Sequence, residues 1–164
     1  HSHFIYVGYK NNDMLEKGRQ LFRSCKESAK MIAKLNMYSE PSAYVSRLGE
    51  QSLEVGDWTT DNHFMKFDFN VALGKASVYA SEWTKMMNSL EQTNSAGLIT
   101  HRAGSGWISH FVYVGGNSID DLYSTFDANS QTDSFQNFAK NVSSIRELRN
   151  VSLLTPVKAY PSKR

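Results

Sequence analysis

Three stretches of the chain alternate apolar and polar positions, and each alternation opens with a His-Phe pair. Residues 2–8 (SHFIYVG) and 109–115 (SHFVYVG) agree at six of seven positions. Residues 63–71 repeat the His-Phe pair, with apolar residues two and four places after the histidine. A period of two residues predicts β-strands, here over 3–9, 63–71 and 107–115. The copies indicate a chain assembled from a repeated unit.

Apolar residues that recur every three or four positions follow each of these strands, which predicts amphipathic helices. Helices are predicted over 13–35, over 75–91, and from Ser118 onward with an interruption around 129–132 and a second stripe from Phe135 to Leu148. Further strands are predicted over 43–48, 98–102 and 151–157.

The order strand, helix, strand therefore occurs three times. It predicts an α+β fold in which repeated βαβ units form ferredoxin-like plaits, with an antiparallel sheet that carries its helices on one face. Gly104-Ser105-Gly106 reads as a hairpin connection, and the alternation within strands argues against a parallel α/β sheet. We expect residues 1–104 to form a first ferredoxin-like unit and 105–164 a second, shortened unit packed on it, or the two to form one continuous domain.

The repeated SHF(I/V)YVG strand, the long helix after it and the one-sided sheet resemble the dimeric α/β-barrel superfamily. In that superfamily two ferredoxin-like plaits pack sheet against sheet. Its members include cofactor-free and haem-degrading monooxygenases, isomerases, decolorising peroxidases and proteins without known activity, so the resemblance implies a fold more than a reaction. Two complete plaits need four units and this sequence shows three, which implies a homo-oligomer joined through the sheet face.

Charge and composition indicate which kinds of binding partner the sequence favours. Lys and Arg total 18 against 16 for Asp and Glu, which gives a formal net charge of +2. That balance carries no strong nucleic-acid signal, and no apolar run is long enough to cross a membrane, so we expect a soluble protein. Residues 112–126 resemble the first strand and helix of an RNA-recognition motif, but its second signature strand is absent. Single-stranded RNA binding is therefore a minor alternative.

One cysteine, Cys25, excludes an intrachain disulfide, and it falls in the apolar stripe of the first helix. The chain begins with His1, as it would after removal of a signal peptide, although a recombinant start would look the same. We slightly favour an exported or periplasmic location over a cytoplasmic one.

The histidines suggest a metal site. His3, His63 and His110 each stand at the head of an equivalent strand, and three imidazoles at one sheet edge would suit Zn, Cu or Fe. The alternative is that the repeat copied a residue that only satisfies backbone groups. Separately, the amine of His1 with the His3 imidazole would chelate Cu(II), which makes a copper-binding exported protein a further alternative.

A second candidate site lies on one face of the predicted sheet. The repeat places Tyr6, Lys66 and Tyr113 at equivalent positions, and Asp68 shares the face of Lys66. These four residues are our candidates for proton-transfer catalysis. The same tyrosines with Lys66 suit a small aromatic or carboxylated ligand, or equally burial against a partner sheet.

The glycine hairpin adds Arg102 and Trp107 as candidate ligand contacts, although turn geometry with an anchoring Trp is the simpler interpretation. The sequence predicts a small-molecule-binding or monooxygenase-like protein of the dimeric α/β-barrel type, and leaves substrate and enzymatic activity open. The alternative is a non-enzymatic oligomeric assembly or binding protein.

Overall fold

A computed structural model describes residues 3, 5–40, 47–91, 94–104 and 106–160, with 50–52 described by their backbone only. The chain divides into two compact units, residues 1–45 and 46–164. No helix among the described residues is long and apolar enough to cross a membrane.

The larger unit is built on a five-stranded sheet whose neighbouring strands all run antiparallel. Its order is β1-β3-β4-β2-β5. The strands are β1 (Leu48–Val55), β2 (His63–Val71), β3 (Ala96–Ala103), β4 (His110–Gly116) and β5 (Arg146–Leu154).

Residues 63–154 follow the order β-α-β-β-α-α-β, in which a pair of helices takes the place of the second helix of a β-α-β-β-α-β plait. Helix α3 (Ala76–Ser89) joins β2 to β3, and helices α4 (Ile119–Ser130) and α5 (Asp133–Val142) join β4 to β5. With β2 and β4 at the centre and β3 and β5 beside them, this is one complete ferredoxin-like plait, and β1 is added outside β3. The predicted α+β fold with an antiparallel sheet and helices on one face is confirmed.

Strand alternation decides which side chains form the core. Phe67, Phe69 and Val71 of β2 pack with Tyr79 and Trp83 of α3 on the helix-covered face. The residues between them in β2 point to the opposite face, as a period of two requires. The main hydrophobic cluster thus lies on the helix-covered side of the sheet.

The smaller unit contains helices α1 (Asn12–Ser24) and α2 (Lys26–Tyr38). The predicted single helix over 13–35 is wrong, because Cys25 has an extended backbone that ends α1 and starts α2. In the last turn of α1, the Ser24 hydroxyl donates to the carbonyls of Gln20 and Leu21. Such local bonds compete with helix continuation.

The predicted strand over 3–9 is also wrong for its described residues, 3 and 5–9, which have no regular secondary structure. A strand needs neighbours to bond its backbone. Its near copy β4 has β2 on one side and β3 on the other. The regular elements described in the smaller unit are helices only. The predicted strand over 43–48 lies mostly outside the described residues.

The predicted division at residues 104 and 105 differs from the observed units. That boundary falls inside the β3–β4 hairpin, whose two strands are hydrogen-bonded neighbours of the same plait. At the end of the chain, α5 stops at Val142 and β5 begins at Arg146, so Leu148 belongs to a strand and not to the predicted helix.

Candidate functional site

The polar candidates Lys66, Asp68 and Tyr113 lie together on the sheet face opposite the helices. In the β2–β4 register Lys66 stands opposite Tyr113, so these two share a face as predicted. The Lys66 ammonium and the Asp68 carboxylate form an ion pair, and both residues are buried. Tyr113 donates a hydrogen bond to Glu54 of β1 (2.6 Å).

Burial controls the chemistry of this pair. Desolvation lowers the pKa of Lys66, and the hydrogen bond and charge of Asp68 act in the opposite direction. The Lys66 nitrogen also lies 4.8 Å from the centre of the Phe111 ring. Asn150 of β5 donates to the second oxygen of Asp68 at 3.4 Å. The pair is therefore held by two further strands.

His101, which the sequence places with Arg102 and Trp107 beside the glycine hairpin as a possible ligand contact, extends this cluster. Its ring packs against Phe111 with centroids 5.5 Å apart. Burial, followed by the nearby charge of Arg47, lowers the pKa of His101 to about 4. Within the described part of the chain, neither ring nitrogen of His101 has a hydrogen-bond partner, and both are buried. Alternation along β3, which places His101 on the face of Ile99, was the available signal.

Two other sequence candidates lie at the surface beside the hairpin. Arg102 is exposed, and the Trp107 side chain is 80% exposed, so Trp107 does not anchor the turn. Gly104 and Gly106 adopt positive φ angles of 69° and 59°, which glycine tolerates best. The hairpin itself is as predicted.

Tyr6 belongs to the smaller unit. It is not part of a strand, and its side chain is 48% exposed. The strand register that would align Tyr6 with Lys66 and Tyr113 is therefore not formed in the described residues.

The predicted histidine triad does not form. His63 and His110 head two strands that run antiparallel, so His63 pairs with Gly116 while His110 pairs with Phe69 at the other end. At about 3.4 Å per residue the two histidines stand roughly 20 Å apart. His3 is exposed and outside any strand, and His1 lies outside the described residues. No group of three His, Cys, Asp or Glu side chains among those described is placed to hold a metal.

A cavity of about 350 Å³ lies on the helix-covered face, between the sheet and helices α3, α4 and α5. Ligand sites in proteins commonly have volumes of about 300–1,000 Å³. Most of the lining is apolar and comes from the sheet and from all three helices of the plait. It includes Phe67, Val112, Trp83, Met87, Phe126, Phe135 and Ala139. The sequence could not locate this space, because its walls come from elements far apart in the chain.

Arg146 is the charged residue in the wall of this cavity. Its guanidinium lies 4.7 Å from the ring of Phe69 and 4.9 Å from that of Phe138. It also donates to the Tyr79 hydroxyl at 3.3 Å. Burial raises the pKa of Tyr79, although Arg146 partly offsets that effect, so the phenol stays neutral. The cavity thus combines aromatic walls with one cation.

No family model matches the sequence, and no curated protein matches it. Among solved structures, the chain is similar to a major regulator of staphylococcal pathogenesis, at 13% identity over 73% of this chain and 74% of that one, with a TM-score of 0.48. It is also similar to a protein described as an antibiotic biosynthesis monooxygenase from Chloroflexus aurantiacus J-10-fl, at 9% identity over 60% of this chain and 96% of that one (TM-score 0.44). A protein described as a monooxygenase from Lactobacillus acidophilus NCFM shares 14% identity over 57% of this chain and 43% of that one (TM-score 0.41). The strand order and connections of residues 63–154 make the fold of this segment a ferredoxin-like plait.

Proposed function

We propose that the plait binds a small, largely apolar molecule in the cavity between its sheet and its helices. The observation that carries this proposal is the cavity itself, about 350 Å³ of space with mostly apolar walls. Burial of apolar ligand surface against such walls contributes about 25 cal/mol per Å², which gives an apolar molecule a clear preference for this site over water.

Arg146 indicates which chemical class of ligand the cavity would favour. A guanidinium carries five N–H donors in a fixed plane, and Tyr79 is the hydrogen-bond partner of Arg146 among the described residues. Arginine pairs well with planar anions such as carboxylates. The aromatic walls beside it favour rings. An aromatic or aliphatic molecule with one acidic group therefore fits best, in line with the aromatic or carboxylated ligand predicted from sequence.

Two dyes test the cavity and the cation separately. N-phenyl-1-naphthylamine is neutral, and 1-anilinonaphthalene-8-sulfonate carries one negative charge. Each is titrated into the full chain, with fluorescence excited in the dye band. We expect one molecule of either dye to bind per chain, and Arg146→Met to weaken the sulfonate at least tenfold while changing the neutral dye less than threefold.

A matched pair of alanine-to-tryptophan variants tests whether the dyes bind in this cavity. Ala139 lines the cavity from α5, whereas Ala128 is exposed on α4. Ala139→Trp fills the space and is expected to weaken both dyes at least tenfold, and Ala128→Trp to leave both unchanged. If neither dye binds, or if the two Trp variants behave alike, the proposal is wrong.

The remaining functional hypotheses stay predictions. They are a monooxygenase-like reaction, proton transfer by Lys66, Asp68, Tyr6 or Tyr113, ligand contact by Arg102 or Trp107, copper binding at His1 and His3, and single-stranded RNA binding. The non-enzymatic alternative, an oligomeric assembly or binding protein joined through the aromatic sheet face, also stays a prediction.

A further inference from the structure

Helices α1 and α2 follow residues 2–8 at the same sequence offset at which α4 and α5 follow residues 109–115. Residues 2–8 match 109–115, and α1 and α2 begin at Asn12 and Lys26, at the same offset from that match as Ile119 of α4 and Asp133 of α5. The helix caps match as well. The Asn11 side chain accepts from the Met14 backbone N–H, and the Ser118 hydroxyl accepts from that of Asp121.

The apolar positions of the two helix pairs also coincide. The buried residues of α4 and α5 are Leu122, Phe138 and Val142. At the same offset, α1 and α2 carry Leu15, Met31 and Leu35, all apolar. Neither α1 nor α2 contains a buried residue. The smaller unit therefore carries apolar residues at the helix positions that are buried in the plait.

The plait shows which strand would cover these positions. Its two halves, β2-α3-β3 and β4-α4-α5-β5, are related by an approximate two-fold axis that passes between β2 and β4. Both central strands begin with His-Phe, and they pair antiparallel with Lys66 opposite Tyr113. In the repeat, Tyr6 corresponds to both of these residues. Two copies of residues 3–9 therefore reproduce the central pair of a plait.

We propose that two copies of this chain associate by pairing residues 3–9 as antiparallel strands about a two-fold axis at Tyr6. In the register of β2 and β4, Tyr6 stands opposite Tyr6 of the second copy, and Ile5 stands opposite Val7. Ile5 and Val7, now 74% and 60% exposed, take the positions of Met65 and Val114, on the face that α1 and α2 of both copies cover.

A second copy is the occupant that the observations favour. Within the described plait, β2 and β4 each already have strands on both sides, so no central place is vacant there. A two-fold axis needs only one self-complementary segment, and isologous pairing of this kind is the commonest route to dimers. Residues 3–9 contain no Asp, Glu, Lys or Arg that would oppose its own copy.

Disulfide cross-linking tests the axis position in the full chain. Cys25→Ser removes the native thiol, and Tyr6→Cys is introduced in that background. Residues directly opposite in an antiparallel pair have Cβ atoms about 4.5–5.5 Å apart, close to what a disulfide requires. Lys10→Cys in the same background is the control, because cysteines four residues off the axis would stand roughly 27 Å apart. We expect mild oxidation to link the Tyr6→Cys chain as a dimer at least tenfold more than the Lys10→Cys chain.

Sedimentation of the unmodified chain supplies the second measurement. It should show a dimer, and Ile5→Asp should convert the dimer to monomer while the near-ultraviolet circular dichroism of the plait stays unchanged. A chain that is monomeric at every concentration overturns the proposal. So does a dimer whose cross-linking does not favour Tyr6 over Lys10, because its interface then lies elsewhere.

Discussion

His110 shows how one residue can look like a ligand in the sequence and act as a core residue in the fold. Its ring lies 5.6 Å from that of Tyr79. The Ser109 hydroxyl accepts from the Val71 backbone N–H (2.7 Å) and lies within hydrogen-bond distance of Nδ1 of His110 (2.9 Å). The ring is fixed within the plait.

A pH prediction follows from this burial. Desolvation lowers the pKa of His110 to about 4 from an ordinary 6.5, so the unfolded chain binds the proton more readily than the folded chain does. The stability that this residue contributes is complete above about pH 6.5 and is lost as the pH falls towards 4. We expect His110→Gln to flatten the dependence of unfolding free energy on pH across that window, as measured by urea titrations.

Phe69→Leu is the control for that experiment. It alters packing beside Tyr79 without removing a titratable group. The unfolding free energy of Phe69→Leu should be lower than that of the unmodified chain at every pH, and its dependence on pH should be the same. A slope for His110→Gln equal to that of the unmodified chain would contradict the assignment.

At the scale of elements, β4 and its copy show what a strand depends on. Gly97 of β3 has no side chain where the Tyr113 ring lies, and a Cβ at Gly115 would collide with the Asp61 carboxylate and lie 2.7 Å from Ser95 Oγ. These close approaches come from β3 and from the turn before β2. Residues 2–8, the near copy of β4, contain the equivalent glycine, Gly8. Among the described residues, nothing approaches Gly8 as closely as Asp61 and Ser95 approach Gly115.

We therefore expect alanine substitutions at these two equivalent glycines to differ in their cost to stability. Gly115→Ala must displace the buried Asp61–Ser95 pair, and overpacking of this kind costs about 1–3 kcal/mol. Gly8→Ala meets only a carbon of Tyr6 at 3.8 Å, an ordinary contact, and should cost less than about 0.5 kcal/mol. Urea unfolding followed by far-ultraviolet circular dichroism, to which the helices of both units contribute, measures both, and equal losses would show that Gly115 is not confined as described.

At the scale of the whole molecule, the chain contains one complete plait, and the described elements that precede its sheet in the sequence are the helices α1 and α2. The larger unit holds the sheet, the core, the cavity and the Lys66 cluster. Its core includes Leu53 of β1, which packs against the buried cluster from the added edge strand. The fold of the plait thus draws on residues from β1 onward.

We expect residues 46–164 to fold without the smaller unit. Expressed alone, this segment should unfold cooperatively in urea and keep the near-ultraviolet circular dichroism of its aromatic core. The shorter segment 62–164, which lacks β1 and the contact of Leu53, should unfold at a lower urea concentration. If 46–164 shows no cooperative transition, the stability of the plait depends on residues 1–45. The two compact units then do not fold independently.

The sequence by itself predicted the class of the plait and most of its elements, because burial on one face leaves a period of two in strands and of three to four in helices. It also predicted the shared face of Lys66 and Tyr113, which follows from equivalent positions in paired strands. Tertiary structure decided the features that these local patterns do not encode. Strand direction put His63 and His110 at opposite ends, and elements distant in the chain enclosed the cavity. Neighbouring strands, which supply the hydrogen bonds that local sequence cannot, made β4 a strand while its near copy at residues 2–8 contributes no described strand.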